Sequence, residues 1–125
     1  MLRFSEPVKH GDGRWHISVY NHDNEEIGYV KYIYNSYSDH QTVYLNELII
    51  YPPYRGQHFA HKILSCFKGL CQNKYQASWI KVFIAPLDPL DNLTLMDRLT
   101  QLYQANGFNI SWNKHEAFGS CFLPR

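Results

Sequence analysis

The fold is decided by one stretch of sequence, ELIIYPPYRGQHFAHKIL, which runs from residue 47 to residue 64. An apolar strand leads into two prolines, which cannot donate to a sheet ladder and disfavour helix in the residue before them. After Arg55-Gly56 the apolar side chains recur at helical spacing. They are Phe59, Ile63, Phe67 and Leu70. The pattern predicts a strand over residues 42–51, a tight turn, and an amphipathic helix over 57–74.

The flanking sequence supplies further strands and one more helix. Residues 15–20 and 26–34 are rich in aromatic and β-branched side chains and are joined by a short polar segment, which predicts a hairpin. Beyond the first helix we expect a strand, a helix and two strands, at 79–84, 93–105, 108–112 and 117–123. Strands joined through a helix are expected to be parallel, with a right-handed crossover. The predicted fold is α/β (α+β): a mixed, mostly antiparallel sheet of six to seven strands with a helix on each face.

Length and composition favour one globular domain over residues 1–125. The chain has 125 residues, 45% of them hydrophobic and 16% aromatic, with a net charge of +1. Disordered chains have few aromatics and high net charge, and general nucleic-acid binders are strongly basic, so neither class is expected. No apolar run is long enough to span a membrane. Three cysteines, an odd number, without a secretory leader point to a cytoplasmic protein with free thiols.

The junction between the strand and the first helix is a candidate anion site. The first N–H groups of a helix lack internal partners and project from its positive end, which suits a phosphate. Several such amides together with Arg55 are suited to a diphosphate. The sequence has neither G-x-x-x-x-G-K-[ST] nor G-x-G-x-x-G, so the two best-known nucleotide loops are not expected. The alternative is that Arg55-Gly56 is only a turn that leads into a core helix.

Two motifs resemble those of the GNAT N-acetyltransferase superfamily. Ile50-Tyr51-Pro52-Pro53-Tyr54-Arg55-Gly56 is similar to the phrase that leads into the family's acyl-CoA-binding motif, and Arg55 and Ala60 match the ends of that motif. His58 stands where the central glycine is usual. The segment LYQANGF, over 102–108, resembles the L-Y-x-x-x-G-F phrase that ends the family's second motif. Met96 stands where many members carry an asparagine.

The resemblance implies a cofactor, a cofactor site and an acid. The co-substrate would be acetyl-CoA, with no metal. Its diphosphate would lie on the start of the helix, at Arg55, Gly56, Gln57, His58, Phe59, Ala60 and His61. The thioester carbonyl and the pantetheine would meet the backbone of Leu48, Ile49 and Ile50. Tyr103 would protonate the departing CoA thiolate, and its alternative role is a helix aromatic packed on the sheet.

Acetyl transfer to an amine also needs a base, because an ammonium group has no lone pair for attack. Glu47 is the candidate, since it interrupts an otherwise apolar strand, on the face that simple alternation shares with Leu45 and Ile49. Its alternative is a structural carboxylate. Asn46, on the other face, is a candidate for orienting the acceptor. His58 and His61 alone make a poor metal site, so no metal is expected.

The acceptor side is expected to be open. The family usually has a strand and two helices before the hairpin, whereas here only residues 1–14 precede Trp15. The site is then either open or completed by a partner subunit, and a homodimer is a candidate assembly. The predicted function is transfer of an acetyl group to a primary amine, of a small molecule or a protein, that the sequence does not identify. The alternatives are a degenerate GNAT-like domain that binds CoA or a protein partner without catalysis, and a small interaction domain of similar topology.

Overall fold

The computed structural model describes residues 2–35, 41–84, 92–113 and 116–124. The predicted loops around 35–41, 88–92 and 113–116, and the side chain of Met96, lie partly or wholly outside the described residues. The elements are β1 (Arg3–Phe4), β2 (Val8–Lys9), β3 (Trp15–Tyr20), β4 (Glu26–Asn35), β5 (Thr42–Ile50), a 3-10 turn (Pro52–Tyr54), α1 (Phe59–Lys74), β6 (Trp79–Ile84), α2 (Asn92–Ala105), β7 (Asn109–Asn113) and β8 (Glu116–Phe122).

One sheet contains all the strands, in the order β1-β3-β4-β5-β6-β8-β7, with β2 paired beside β1 on β3. β5 and β6 are parallel and the other described pairings are antiparallel. The mixed, mostly antiparallel sheet with two helices is therefore confirmed. The sheet has eight strands rather than six to seven, because β1 and β2 are two residues each. Strands that short carry no readable alternation.

Helix α1 begins two residues later than its apolar spacing predicts. Gly56 and His58 have left-handed φ values of 80° and 62°, which a right-handed helix cannot include. From Phe59 onward the helix buries one stripe against the sheet. The side chains in that stripe are Ile63, Leu64, Phe67 and Cys71.

The two helices lie on the same face of the sheet, which differs from the expected helix on each face. The Lys68 Nζ of α1 donates to the carbonyl oxygen of Asn106, at 2.9 Å, just beyond the end of α2. The Asn106 side chain in turn lies 3.2 Å from Nδ1 of His61 on α1. The reason is topological. Two successive right-handed crossovers that advance in the same direction across a sheet put both helices on one side.

The opposite side of the sheet, which we call the open face, is not covered by either helix. Ring pairs cross neighbouring strands on it, Trp79 with Phe122 and Phe83 with Phe118, each with centroids 5.2 Å apart. Phe83 is 50% exposed and Phe122 is 57% exposed. The homodimer that is a candidate from the sequence stays a prediction. None of the helices in the described ranges has the length and apolarity needed to cross a membrane.

We predict that Gly28→Ala destabilises the protein and Gly69→Ala does not. A Cβ on Gly28 would collide with the backbone carbonyl of Ile49 on β5, whereas a Cβ on Gly69 of α1 meets nothing within 4 Å. The first change should lower the free energy of unfolding by roughly 2–3 kcal/mol, because strand backbone must move. The second should raise it by up to about 1 kcal/mol through helix propensity. Urea denaturation midpoints measure both, and equal midpoints would contradict the close β4–β5 approach.

Candidate functional site

Strands β5 and β6 separate part-way along their length. Their parallel pairing covers four residue pairs, from Thr42–Trp79 to Leu45–Val82. Beyond it β5 continues to Ile50, while Phe83 and Ile84 of β6 pair with β8 instead. Among the described residues nothing pairs with the edge of β5 over 46–50 that faces away from β4, so a wedge opens between this edge and the end of β6. We call this opening the cleft.

A β-bulge at Asn46 marks the point where β5 leaves β6. Lys31 of β4 is opposite Glu47 and Tyr32 is opposite Leu45, so Asn46 is an extra residue on β5. A bulge bends its strand and redirects the side chains that follow it. Leu45 stays under the helices at 2% exposure, whereas Glu47 is turned to the open face. The prediction that Glu47 shares a face with Leu45 was therefore wrong, because simple alternation does not continue through the bulge.

The backbone of β5 presents alternate residues to the cleft. The N–H of Tyr51 donates to the carbonyl of Ile27 on β4, at 2.8 Å. Successive residues of a strand point their backbone groups in opposite directions, so the amide of Ile49 also faces β4. The amides of Leu48 and Ile50 face the cleft. Of the three residues predicted to meet the thioester, Leu48 and Ile50 present their N–H groups to the cleft, whereas Ile49 presents its N–H to β4.

The loop after β5 is held by Arg55. Its backbone N–H donates to the Pro52 carbonyl at 3.3 Å, which closes the 3-10 turn. Its side-chain Nε donates to the Ile50 carbonyl at 2.8 Å, on the cleft side of the strand end. Gly56 then takes the left-handed conformation that glycine adopts without steric cost. The guanidinium of Arg55 is thereby held at the end of β5, in the loop that leads to α1.

The amino end of α1 is uncapped. His58 is the N-cap residue, it makes no side-chain cap hydrogen bond, and no acidic residue lies in the first turn. Within the described residues no protein acceptor meets the amides of Gly56, Gln57 or His58, and those of Phe59, Ala60 and His61 come before the first internal helix bond. The side chain of Gln57 turns back to the Pro53 carbonyl, at 3.5 Å. The predicted anion loop is thus assembled at the end of β5, with its donors open and the positive helix end behind them.

Glu47 is half-buried and oriented by a tyrosine. The Tyr29 hydroxyl donates to Oε2 of Glu47 at 3.1 Å, and the Tyr29 ring stacks on His16 at a centroid distance of 5.1 Å. Desolvation and the neighbouring carboxylate raise the pKa of Tyr29, which keeps its hydroxyl protonated. Burial, with a smaller effect of His10, lowers the pKa of His16 and favours its neutral form. The carboxylate is held in one orientation by a donor that does not ionise near neutral pH.

A cavity of about 750 Å³ lies on the open face next to the cleft. Asn46, Glu47 and Phe83 border both spaces. The size is within the range of small-molecule sites. Sequence analysis did not identify three side chains of its wall, Arg14, Tyr44 and Lys81. Strand alternation marks them as exposed, but only the strand order places them around one space.

Tyr103 lies on α2, under the sheet rather than on the open face. It is 6% exposed, and its ring packs edge-on against Phe108 at a centroid distance of 5.2 Å. Burial raises the pKa of Tyr103, so the phenol keeps its proton. No acceptor for its hydroxyl is found in the described part of the chain. The packing on Phe108 fits the structural alternative, and the acid role stays a prediction.

Comparison with known proteins identifies the fold. No known family profile matches the sequence, and no curated protein does. The fold matches spermidine N-acetyltransferase from Vibrio cholerae in complex with CoA and spermine, at 16% identity and a TM-score of 0.71, over 91% of this chain and 68% of that one. It also matches a Klebsiella pneumoniae protein assigned to the acyl-CoA N-acyltransferases, at 12% identity and a TM-score of 0.69, over 92% and 76%. The chain has the GNAT fold. At these identities the likeness establishes the GNAT architecture and leaves activity and acceptor to be argued from the residues.

Proposed function

We propose that the protein is an acetyl-CoA-dependent N-acetyltransferase that transfers the acetyl group to a primary amine by direct attack. The observation that carries the proposal is the divergence of β5 from β6 beside the uncapped start of α1, with the Glu47 carboxylate at the rim. A structural neighbour crystallised with CoA supports the choice of co-substrate. The donor loop would bind the diphosphate, the cleft would bind the thioester arm, and the carboxylate at the rim would meet the amine.

The residues around the cleft fit acetyl-CoA. Its diphosphate would accept hydrogen bonds from the open amides of residues 56–61, with Arg55 beside them. Its pantetheine would run along the unpaired edge of β5 as an added strand. The amides of Leu48 and Ile50 would then stabilise negative charge on the thioester oxygen. Acetyl-CoA supplies the activated acetyl group, and the protein supplies donors and orientation.

The transfer balances with one base and one acid. Glu47, directly or through water, takes a proton from the acceptor ammonium, and the neutral nitrogen attacks the acetyl carbonyl carbon. The tetrahedral intermediate collapses with cleavage of the C–S bond. Tyr103 gives its proton to the departing thiolate, whose own pKa would be raised by the same burial that raises the pKa of Tyr103. After its attack the nitrogen carries one extra proton, which it loses to water; water returns a proton to the Tyr103 tyrosinate, and Glu47 releases its proton to solvent. The products are an N-acetyl amide, CoA and one proton.

The second candidate is a degenerate domain that binds CoA or a protein without catalysis. The observation that favours it is His58, which stands where the resemblance leads us to expect glycine. However, His58 already has φ 62°, the conformation that glycine favours. The backbone course of the loop is therefore retained, at a conformational cost of about 1–2 kcal/mol. We favour the enzyme, because histidine in place of glycine adds a side chain and strain but keeps the backbone course of the loop.

We expect CoA binding in calorimetric titration and tighter binding by His58→Gly. Glycine holds the left-handed loop without strain, so a larger share of the free protein is competent to bind, and affinity should rise about 3- to 10-fold. His58→Ala is the matched control, because it removes the imidazole but keeps the left-handed cost. Equal affinities of the two variants would assign the effect to side-chain bulk.

A thiol-release assay with a panel of amines separates the two candidates. Acetyl-dependent release of CoA that requires an amine supports the enzyme. Binding of CoA without release over the whole panel would leave the degenerate domain, and absence of both would contradict the proposed function.

Glu47→Gln should lower kcat/KM for the amine by about 10²–10⁴-fold, because the amide cannot accept the proton. CoA affinity should not change, since Glu47 lies on the opposite side of β5 from the donor loop. Tyr29→Phe removes only the orienting hydrogen bond and should lower kcat/KM for the amine by roughly 3- to 30-fold. Steady-state kinetics at saturating acetyl-CoA measure both. Full activity of Glu47→Gln would assign the carboxylate a structural role.

Tyr103→Phe should slow turnover at least about 10-fold with unchanged CoA affinity, because the ring packing stays and only the proton donor is lost. Tyr75→Phe is the control. It also removes one buried hydroxyl, here the partner of the Tyr32 hydroxyl, so it should lower stability without slowing turnover. Unchanged turnover of Tyr103→Phe would show that another group, or water, protonates the thiolate.

A further inference from the structure

The wall of the cavity on the open face carries more positive than negative charge. A row of side chains crosses the sheet there. Ile33 is opposite Tyr44, and Tyr44 is opposite Lys81. Arg14 directly precedes Trp15, which is opposite Tyr32, so Arg14 lies beside Ile33 at the start of the row. Two cations therefore stand on either side of Tyr44 in one wall.

The positive charges in this wall are little compensated. Within the described ranges Lys81 has no acidic partner, and it is exposed. Arg14 has one, Asp12, at 3.8 Å, and both side chains are about half exposed, so the pair is weak. Lys31 stands opposite Glu47 on the same face, with its ammonium 5.4 Å from the Tyr29 ring centroid. In the described part of the open-face wall, Glu47 is the single carboxylate.

This distribution of charge favours some amines over others as acceptors. An acceptor with one ammonium group can place it against Glu47, which must receive its proton. A second ammonium group on the same molecule would extend toward Arg14 and Lys81 and be repelled. A carboxylate or a phosphate in that position would instead be attracted, and guanidinium groups bind both in a forked geometry. The rings of Tyr44 and Phe83 also line the cavity, and they offer apolar contact to the part of the acceptor between its ammonium group and its anion.

From this arrangement we infer that the acceptor is a primary amine that also carries an anionic group, joined by a short apolar segment, and not a polyamine. The inference rests on the proposed function and names the substrate class of that same site. Because of the bulge at Asn46, Tyr44 and Glu47 are opposite Ile33 and Lys31, two residues apart on β4, so about 7 Å of strand separates them. The ammonium and the anion of the acceptor should therefore be separated by about four to six bonded atoms.

The test uses four amines of matched length that differ at one end: 5-aminopentanoate, 4-aminobutyl phosphate, pentylamine and 1,5-diaminopentane. Initial rates of CoA release give kcat/KM for each. We expect at least one of the two anionic amines to exceed pentylamine by roughly 3- to 10-fold, and the diamine to fall below it. The carboxylate and phosphate arms show which anion the site takes. The advantage should shrink as salt is raised, since the cations are exposed.

The variant Lys81→Glu adds a sign test. It should lower the ratio of kcat/KM for the anionic amine to kcat/KM for the diamine, and Lys81→Gln should lower this ratio by less. Lys74→Glu makes the same charge change at the far end of α1 and should leave the ratio unchanged. Retained CoA affinity shows that each variant is folded.

Three results would overturn the inference. A preference of the wild-type protein for 1,5-diaminopentane, or a ratio that Lys81→Glu does not move, would refute the acceptor class while acetyl transfer itself stood. Absence of CoA binding and of thiol release with every amine would refute the proposed function and the inference with it. The first two outcomes are thus distinguishable from the third.

Discussion

The unpaired edge of β5 is the feature on which the site depends. A backbone amide inside a sheet needs a partner, and a strand that separates from its neighbour leaves a line of donors and acceptors unsatisfied by the protein. Here the separation follows directly from one extra residue, Asn46, which bends β5 away from β6. The Ile50 carbonyl is satisfied by Arg55, but among the described residues no acceptor meets the amides of Leu48 and Ile50. An extended substrate with its own amides is the chemical complement of such an edge.

The rest of the fold keeps this edge in place. On its other side β5 is paired with β4 along nearly its whole length, and the close approach at Gly28 fixes the two strands together. Beneath it α1 packs its buried stripe on the sheet, so both ends of the donor loop, at β5 and at α1, are anchored. The left-handed His58 is held by this frame, and strain at a ligand loop is tolerated where surrounding structure determines the backbone.

Sequence reasoning found what is encoded locally and missed what depends on pairing between distant segments. The strand, the prolines, Arg55-Gly56 and the helical stripe are contiguous, so the strand, the turn and the helix were predictable from residues 47–64, and anion binding at their junction stays a prediction. The bulge is a property of two strands, because β5 alone shows no extra residue, and the face of Glu47 was therefore assigned wrongly. The shared face of both helices needs the strand order. Arg14 and Lys81 are 67 positions apart, and only the register of four strands brings them to one wall.

The two sides of the sheet are subject to different constraints. The helix side contains the core, whose buried residues are fixed by packing, so a sequence with only 12–17% identity to its structural neighbours can share their fold. Residues such as Tyr44, Lys81 and Phe118 are exposed on the open face and contribute little to the core. They can change at small cost to stability. Likeness to a polyamine enzyme therefore reports on the fold, while the charges that bear on the acceptor are those that this chain places on the open face.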